Sequence, residues 1–120
     1  MVKENIIFDK SKDLAVRIIN LYRYLKEVKK ETVLSKQILR SGTSIGANLA
    51  EATFGFSKKD FLSKSFISLK ECSETIYWLE LLVKTDYISE QQFNSLNEDC
   101  LQILKMLIAS VKTIQKNLNN

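Results

Sequence analysis

Apolar residues recur at alternating steps of three and four along most of this 120-residue chain. That spacing keeps them on one face of an α-helix, and it restricts the fold more than any other feature of the sequence. The chain has no proline and only three glycines, so it lacks the turn residues that a loop-rich all-β fold requires. The stripes are interrupted near residues 31, 57 and 86. The pattern therefore predicts four helices joined by short connections.

Each predicted helix contributes one line of residues to the core. In chain order the lines are Leu14, Ile18, Leu21, Leu25 and Val28; Ser35, Ile38, Gly42, Ile45, Leu49 and Ala52; Leu62, Ser65, Leu69, Cys72, Ile76, Leu79 and Val83; and Phe93, Asn97, Cys100, Leu104, Leu107, Val111, Ile114 and Leu118. Capping residues mark three of the starts. Ser11 or Asp9 can begin the first helix, Ser57 the third, and Ser89 with Gln92 forms a capping box for the fourth.

Short connections make consecutive helices antiparallel neighbours. When each helix is folded back on the one before it, Leu21, Gly42, Cys72 and Cys100 fall in one layer, and the other layers agree in the same way. Agreement between local pattern and global packing is expected of a real fold. The sequence predicts an all-α, up-down-up-down antiparallel four-helix bundle, with a single domain over residues 1–120.

Composition argues against an enzyme. Histidine is absent, which removes the commonest general base and the histidine ligands of most zinc and di-iron sites. The two cysteines, Cys72 and Cys100, have no metal-binding spacing. We expect no cofactor, no metal site and no catalytic residues, and we expect both thiols to be reduced and close together in the core.

The sequence also bears on where the protein is found. Residues 1–10 contain one short apolar run and two acids, too little for the core of a signal peptide. No run of about 20 apolar residues could span a membrane. We expect a cytoplasmic protein without a membrane partner.

Two segments resemble a known family. The run from Arg40 to Ala52, RSGTSIGANLAEA, and the run from Leu69 to Ile76, LKECSETI, are similar to those of a bacterial four-helix-bundle family. Its members include proteins encoded in intervening sequences of 23S ribosomal RNA genes and the accessory variability protein of diversity-generating retroelements. The resemblance implies a homopentamer, and it implies nucleic-acid binding through the retroelement branch. One departure is Ala52, where many relatives have glycine.

A polar motif accompanies this resemblance. Ser44, Asn48 and Glu51 lie on one helical line beside the core, where they could hydrogen-bond a neighbouring helix, another subunit or a ligand. Arg40 falls level with Glu74, which predicts an ion pair between helices, with anion binding by Arg40 as the alternative. A structural role is favoured, because buried polar groups usually serve hydrogen-bond satisfaction.

The last two helices carry more apolar residues than one bundle core requires. The surplus residues are Phe61, Phe66, Ile67, Tyr77, Trp78, Leu82, Leu101, Ile103 and Ile108. They predict a second buried face, and hence a homo-oligomer. The alternative is that some of them are half-exposed flanks of the core.

The chain has a formal net charge of +4, and its cations are unevenly spread. In the predicted register, Arg23 lies near Glu98, whereas five cations have no acidic partner. They are Lys10, Arg17, Lys105, Lys112 and Lys116. We expect them to contact RNA or DNA phosphates weakly and without sequence preference. The alternative is a solvated face on a scaffold that binds another protein.

Overall fold

Four helices make up the part of the chain that the computed structural model describes, residues 2–53 and 57–119. They are α1 (Val2–Glu27), α2 (Leu34–Thr53), α3 (Lys58–Lys84) and α4 (Glu90–Asn119). Each helix packs against the next, and α4 closes the ring against α1. The resulting molecule measures 51 × 22 × 21 Å. The predicted all-α four-helix bundle is confirmed.

The predicted caps of α3 and α4 are both present. The Asp60 N–H donates to Ser57 Oγ at 3.1 Å. In the capping box of α4, the Gln92 N–H donates to Ser89 Oγ at 3.1 Å and the Ser89 N–H donates to Gln92 Oε1 at 2.8 Å. These bonds satisfy backbone donors that have no partner within the helix.

The start of α2 has a cap that the sequence analysis missed. The buried Glu31 carboxylate accepts hydrogen bonds from the N–H groups of Val33, Leu34 and Ser35 at 3.2, 2.9 and 2.7 Å. A carboxylate at this position also complements the positive end of the helix dipole. Glu31 therefore has a structural role, because its carboxylate accepts backbone N–H groups at the start of α2.

The predicted start of α1 at Ser11 or Asp9 is wrong, because α1 begins at Val2. Ser11 is fully buried inside the helix, and its hydroxyl donates to the Phe8 carbonyl at 2.6 Å. Ile7 is also buried and continues the core line seven residues before Leu14. The core of α1 therefore extends about two turns further toward the N-terminus than predicted.

The core lines of α1 and α2 are predicted well. All six residues of the α2 line are buried, and so is the α1 line apart from Val28, which is 64% exposed because α1 ends before it. On α3 and α4 the buried face is rotated by about one residue from the predicted line. Ser68, Thr75 and Leu82 are buried on α3, and Ile103 is buried on α4.

These burials correct two assignments of the sequence analysis. Leu82 and Ile103 belong to the core and not to the apolar surplus. Leu69 and Leu104, which were predicted to be central, are half-buried and pack against the edge of the core. The error has a simple cause: Ser68 and Thr75 are polar, so an apolar pattern cannot identify them as part of the buried face.

Contacts between helices test the predicted layers. The Cys72 Sγ–H donates to the Cys100 carbonyl at 3.3 Å, which confirms the predicted proximity of the two cysteines. Between α1 and α2 the layers are displaced by about one turn, because Gly42 faces Ile18 and not Leu21. A Cβ atom on Gly42 would lie 2.8 Å from both Cγ atoms of Ile18. The glycine therefore permits a close approach of α1 and α2.

Candidate nucleic-acid interface

Three of the five predicted phosphate ligands form a line on α4. Lys105, Lys112 and Lys116 are all exposed, and none has an ion pair with any acidic side chain that the structure describes. Their spacing of seven and four residues keeps them on one face of the helix, about 10 Å and 6 Å apart along its axis. This line is a row of cations open to solvent.

Arg17 does not match its prediction. Its Nη1 forms a salt bridge with Asp99 Oδ2 at 2.6 Å, so the expectation that it lacks an acidic partner is wrong. The guanidinium also donates to the Ser95 side chain at 2.8 Å and to the Ser95 carbonyl at 3.3 Å. The predicted register placed Arg17 level with Lys105. The one-turn displacement of α1 on α2 carries over to α4 and brings Asp99 into reach instead.

Lys10 is only partly free. Its Nζ donates to Gln102 Oε1 at 3.1 Å. Asp13 and Asp99 line the same small cavity of about 120 Å³. The structure therefore brings Lys10 and Arg17 together beside Asp99, and it leaves the three α4 lysines as a separate group.

A second basic region lies at the other end of α1, where the sequence analysis expected partial neutralisation. Arg23, Lys26, Lys29 and Lys30 are exposed, and no salt bridge joins any of them to a described acidic side chain. The predicted approach of Arg23 to Glu98 gives no ion pair.

Tyrosines lie beneath two of these lysines. Lys26 Nζ is 5.9 Å from the centre of the Tyr22 ring, and Lys29 Nζ is 6.0 Å from that of Tyr24. The sequence carried a signal for this arrangement, because Tyr22 and Lys26 are four residues apart on α1 and neighbouring helical positions lie side by side.

A groove opens between α1 and α4 next to this basic end. Its volume is about 350 Å³, and its lining comprises Arg17, Asn20, Leu21, Tyr24, Gln92 and Leu96. Sequence reasoning could not find it, because the groove depends on the relative register of two helices that no short turn connects.

The polar motif holds α2 against α3. Arg40 Nη2 is 2.9 Å from Glu74 Oε2, which is the predicted ion pair, and Glu74 also accepts a hydrogen bond from Trp78 Nε1 at 3.1 Å. Glu51 pairs with Lys64 at 2.8 Å. These contacts give Arg40, Glu51 and Glu74 partners within the bundle.

Ser44 and Asn48 bond within their own helix. The Ser44 hydroxyl donates to the Arg40 carbonyl at 2.6 Å, and the Asn48 side-chain amide donates to the Ser44 carbonyl at 2.8 Å. Both side chains are half-buried. Both of these hydrogen bonds lie within α2.

The core cysteines are free thiols. Burial raises the pKa of Cys72 from 9.0 to about 12, and burial and the nearby Cys72 raise the pKa of Cys100 still further. Because the thiolate is the reactive form, burial makes both thiols poor nucleophiles at neutral pH.

Among residues 2–53 and 57–119, no group of three or more acidic or cysteine side chains is arranged to hold a metal ion. None of the helices in these ranges combines the length and the hydropathy of a membrane span.

Comparison with known proteins shows similarity in both sequence and fold. The family described as 23S rRNA-intervening sequence protein matches residues 3–109. The chain is also similar to a protein of unknown function from the S23 ribosomal protein family of Bacteroides thetaiotaomicron, solved at 1.70 Å resolution. The two share 55% sequence identity over 92% of this chain and 98% of that chain, with a TM-score of 0.90. No curated protein matches.

Proposed function

The chain belongs to the family of 23S rRNA-intervening sequence proteins, and we propose that it is a non-enzymatic, oligomeric helical bundle that binds nucleic acid weakly and without sequence specificity. The observation that carries the proposal is the line of Lys105, Lys112 and Lys116, which are exposed and have no described acidic partner. Lysines on a helix face contact phosphates, which position a nucleic acid but carry no sequence information. Such binding takes place in the cytoplasm, where RNA and DNA are accessible.

Self-assembly is supported by apolar residues that the bundle leaves exposed. On α3, Phe66 and Tyr77 are 38% and 52% exposed and lie eleven residues apart on one face. On α4, Leu101 and Ile108 are 40% and 38% exposed, but they share a face with Lys105 and Lys112, so we assign the subunit interface to α3. Apolar faces of this kind mark protein interfaces. An oligomer repeats the lysine line in every subunit and so raises the avidity of a weak site.

The family resemblance makes a pentamer the expected assembly. Light scattering should then return about five times the 13.8 kDa of one chain at micromolar concentration. Replacing Phe66 and Tyr77 by serine should lower that mass, because both lie on the exposed apolar face of α3. A wild-type mass of one chain would contradict self-assembly.

The lysine line is tested by Lys112→Gln combined with Lys116→Gln. We expect the affinity for two unrelated fluorescein-labelled RNA oligonucleotides to fall about equally, since phosphates are common to both. The slope of log affinity against log salt should become shallower by about 1.4, roughly 0.7 for each lysine on a single strand. Fluorescence anisotropy between about 50 and 200 mM salt measures both quantities.

The matched control is Lys36→Gln combined with Lys58→Gln. Both of these lysines are exposed, one on α2 and one on α3, and their removal changes the net charge by the same amount. The control should retain wild-type affinity and salt slope. If the two double variants behave alike, the lysine line is not the contact surface.

The exposed apolar faces also favour a second function, that of a scaffold that binds another protein. The two functions differ in salt dependence, because phosphate contacts weaken steeply with salt and an apolar interface does not. If the wild type binds neither RNA nor DNA at low salt, nucleic-acid binding is excluded and the scaffold becomes the better account.

A further inference from the structure

We propose that the groove between α1 and α4 receives one unpaired nucleotide of a single-stranded nucleic acid, with its base against Tyr24. This inference rests on the proposed function and makes it more specific, because it adds a pocket for a base to a protein whose α4 lysines contact phosphates. The groove lies beside the basic end of α1, so a strand could occupy both at once.

The lining of the groove suits a nucleobase. Leu21 and Leu96 are 7% and 5% exposed and form an apolar floor, and the half-buried Tyr24 adds an aromatic wall. A base has two apolar faces, and stacking on aromatic side chains is the common means of holding it in single-stranded complexes. The volume of about 350 Å³ is within the range of small-ligand clefts.

The rim of the groove carries hydrogen-bonding groups. Asn20 and Gln92 are both exposed there. The Gln92 side-chain oxygen already accepts the Ser89 N–H, so its amide NH₂ group remains a donor. A side-chain amide offers donors and an acceptor, which match the polar edges of all four bases. The rim therefore favours a base without selecting one.

The charges around the groove favour an anion at its edge. Lys29 Nζ lies 6.0 Å from the centre of the Tyr24 ring, at the outer limit of a cation–π contact, so the ammonium group is available to a phosphate. Asp99 is paired with Arg17. The exposed acids at this end of the bundle, Glu27, Asp86 and Glu90, are fewer than the four exposed cations of the basic end of α1.

Arg17 has a different part in the groove. Its guanidinium is held by Asp99 at 2.6 Å and by Ser95 at 2.8 Å, so it forms a fixed wall and its charge is offset. A planar guanidinium can stack on a base without giving up these bonds. Tyr24 therefore remains the main stacking surface for the base, and Lys29 is the cation that contacts the phosphate.

The geometry of the groove predicts a preference for single-stranded nucleic acid. A base within a duplex is stacked on both sides and paired along its edge, so it cannot enter a groove between two helices unless it is first flipped out. Phosphate contacts on the α4 lysine line, by contrast, are open to single strands and duplexes alike. The pocket therefore predicts a preference for single strands that the lysine line alone would not produce.

The test compares Tyr24→Leu with Tyr22→Leu. Both tyrosines are half-buried on α1 and lie under a lysine, but only Tyr24 lines the groove. The probes are a fluorescein-labelled single-stranded RNA of about twelve nucleotides and the duplex of the same sequence, measured by anisotropy at low salt. Tyr24→Leu should weaken binding of the single strand by roughly fivefold or more and leave duplex binding unchanged. Tyr22→Leu should change neither.

A second variant guards against loss of folding. Asn20 is exposed, so Asn20→Ala should leave the thermal unfolding of the bundle unchanged, and we expect a smaller loss of single-strand affinity, about threefold. Wild-type affinities that are equal for single strand and duplex, with no effect of either variant, would overturn the pocket. The proposed function would survive that result if Lys112→Gln with Lys116→Gln still weakened binding. No binding of either probe at low salt would overturn both.

Discussion

The α2–α3 and α1–α4 contacts lie on opposite sides of the ring of helices, and they are built differently. Between α2 and α3, the Thr75 hydroxyl donates to Ser41 Oγ at 2.9 Å, and the Ser68 hydroxyl donates to the Ile45 carbonyl at 2.9 Å. All four residues are fully buried. Small hydroxyl side chains let the two backbones approach, and their directional bonds fix the register.

Between α1 and α4, the polar contact lies at the surface. Arg17 and Asp99 form their salt bridge with side chains that are 40% and 42% exposed. Long side chains span a wider separation, and a groove of about 350 Å³ remains beside them. The difference shows that a bundle can secure its register on one side and keep a ligand-sized opening on the other. The proposed base pocket lies on the open side.

The comparison predicts unequal costs for losing a core side chain. Ile45→Ala should lower the free energy of unfolding by about 4 kcal/mol, because Ile45 is fully buried and the α2–α3 side has little freedom to collapse into a cavity. Leu96→Ala should cost about 2 kcal/mol, the lower end of the range, because Leu96 borders an open groove. Urea denaturation measures both values. Equal losses would show that the two sides are packed alike.

The part of the fold that could be predicted is the part specified by local pattern. Apolar spacing identified four helices, and the caps at Ser57 and Ser89 gave two of their starts. The ion pair between Arg40 and Glu74 followed from a short connection, since a tight reversal leaves little freedom in register. Glu31 was missed because a glutamate cap on the backbone resembles any other surface acid in sequence.

The groove and the partner of Arg17 could not be predicted, for a different reason. The α1–α4 register is reached only through three successive reversals, so the one-turn displacement at Gly42 carries through to α4. That displacement comes from a close approach of α1 that only a glycine allows, as Ile18 occupies the space of a side chain. An apolar pattern records which face is buried, but it does not record how far one helix slides along another.

The core cysteines test whether the close packing of the α2–α3 side continues to α4. Burial raises the pKa of Cys72 to about 12 and that of Cys100 further, so the folded protein keeps both thiols protonated at a pH where the unfolded chain ionises them. Stability from this source is complete below about pH 8 and declines above it, by roughly 1.5 kcal/mol per thiol between about pH 8 and pH 10.

The measurement is urea denaturation at both pH values, for the wild type and for Cys72→Ala combined with Cys100→Ala. The double variant is less stable throughout but should lose less stability as the pH rises. If the wild type and the double variant lose the same amount, the thiols are not shielded from water. The α3–α4 contact would then resemble the open side of the bundle.

A buried hydrogen bond gives the next effect in size. Thr75→Val keeps the shape of the side chain, but it removes the bond to Ser41, whose own hydroxyl then has only a 3.4 Å contact with the Ile38 carbonyl. We expect a loss of about 1–2 kcal/mol in the free energy of unfolding, because a buried group is left poorly satisfied. Adding Ser41→Ala should cost less than the sum of the single changes, because both partners are then gone. Strict additivity in urea denaturation would mean that this bond does not hold α2 to α3.

The smallest effect is expected at the salt bridge of the open side. Both side chains of the Arg17–Asp99 pair are about two-fifths exposed, so water and salt screen their attraction. In a cycle of Arg17→Gln, Asp99→Asn and the double variant, the interaction energy should be about 1 kcal/mol or less and should shrink in 1 M salt. The Ser95 contacts of Arg17 are retained in Asp99→Asn, which separates the charge from the positioning of the guanidinium. An interaction energy near that of a buried pair, several kcal/mol, would mean that the α1–α4 side is closed in solution, and a base could then enter the groove only after the pair had opened.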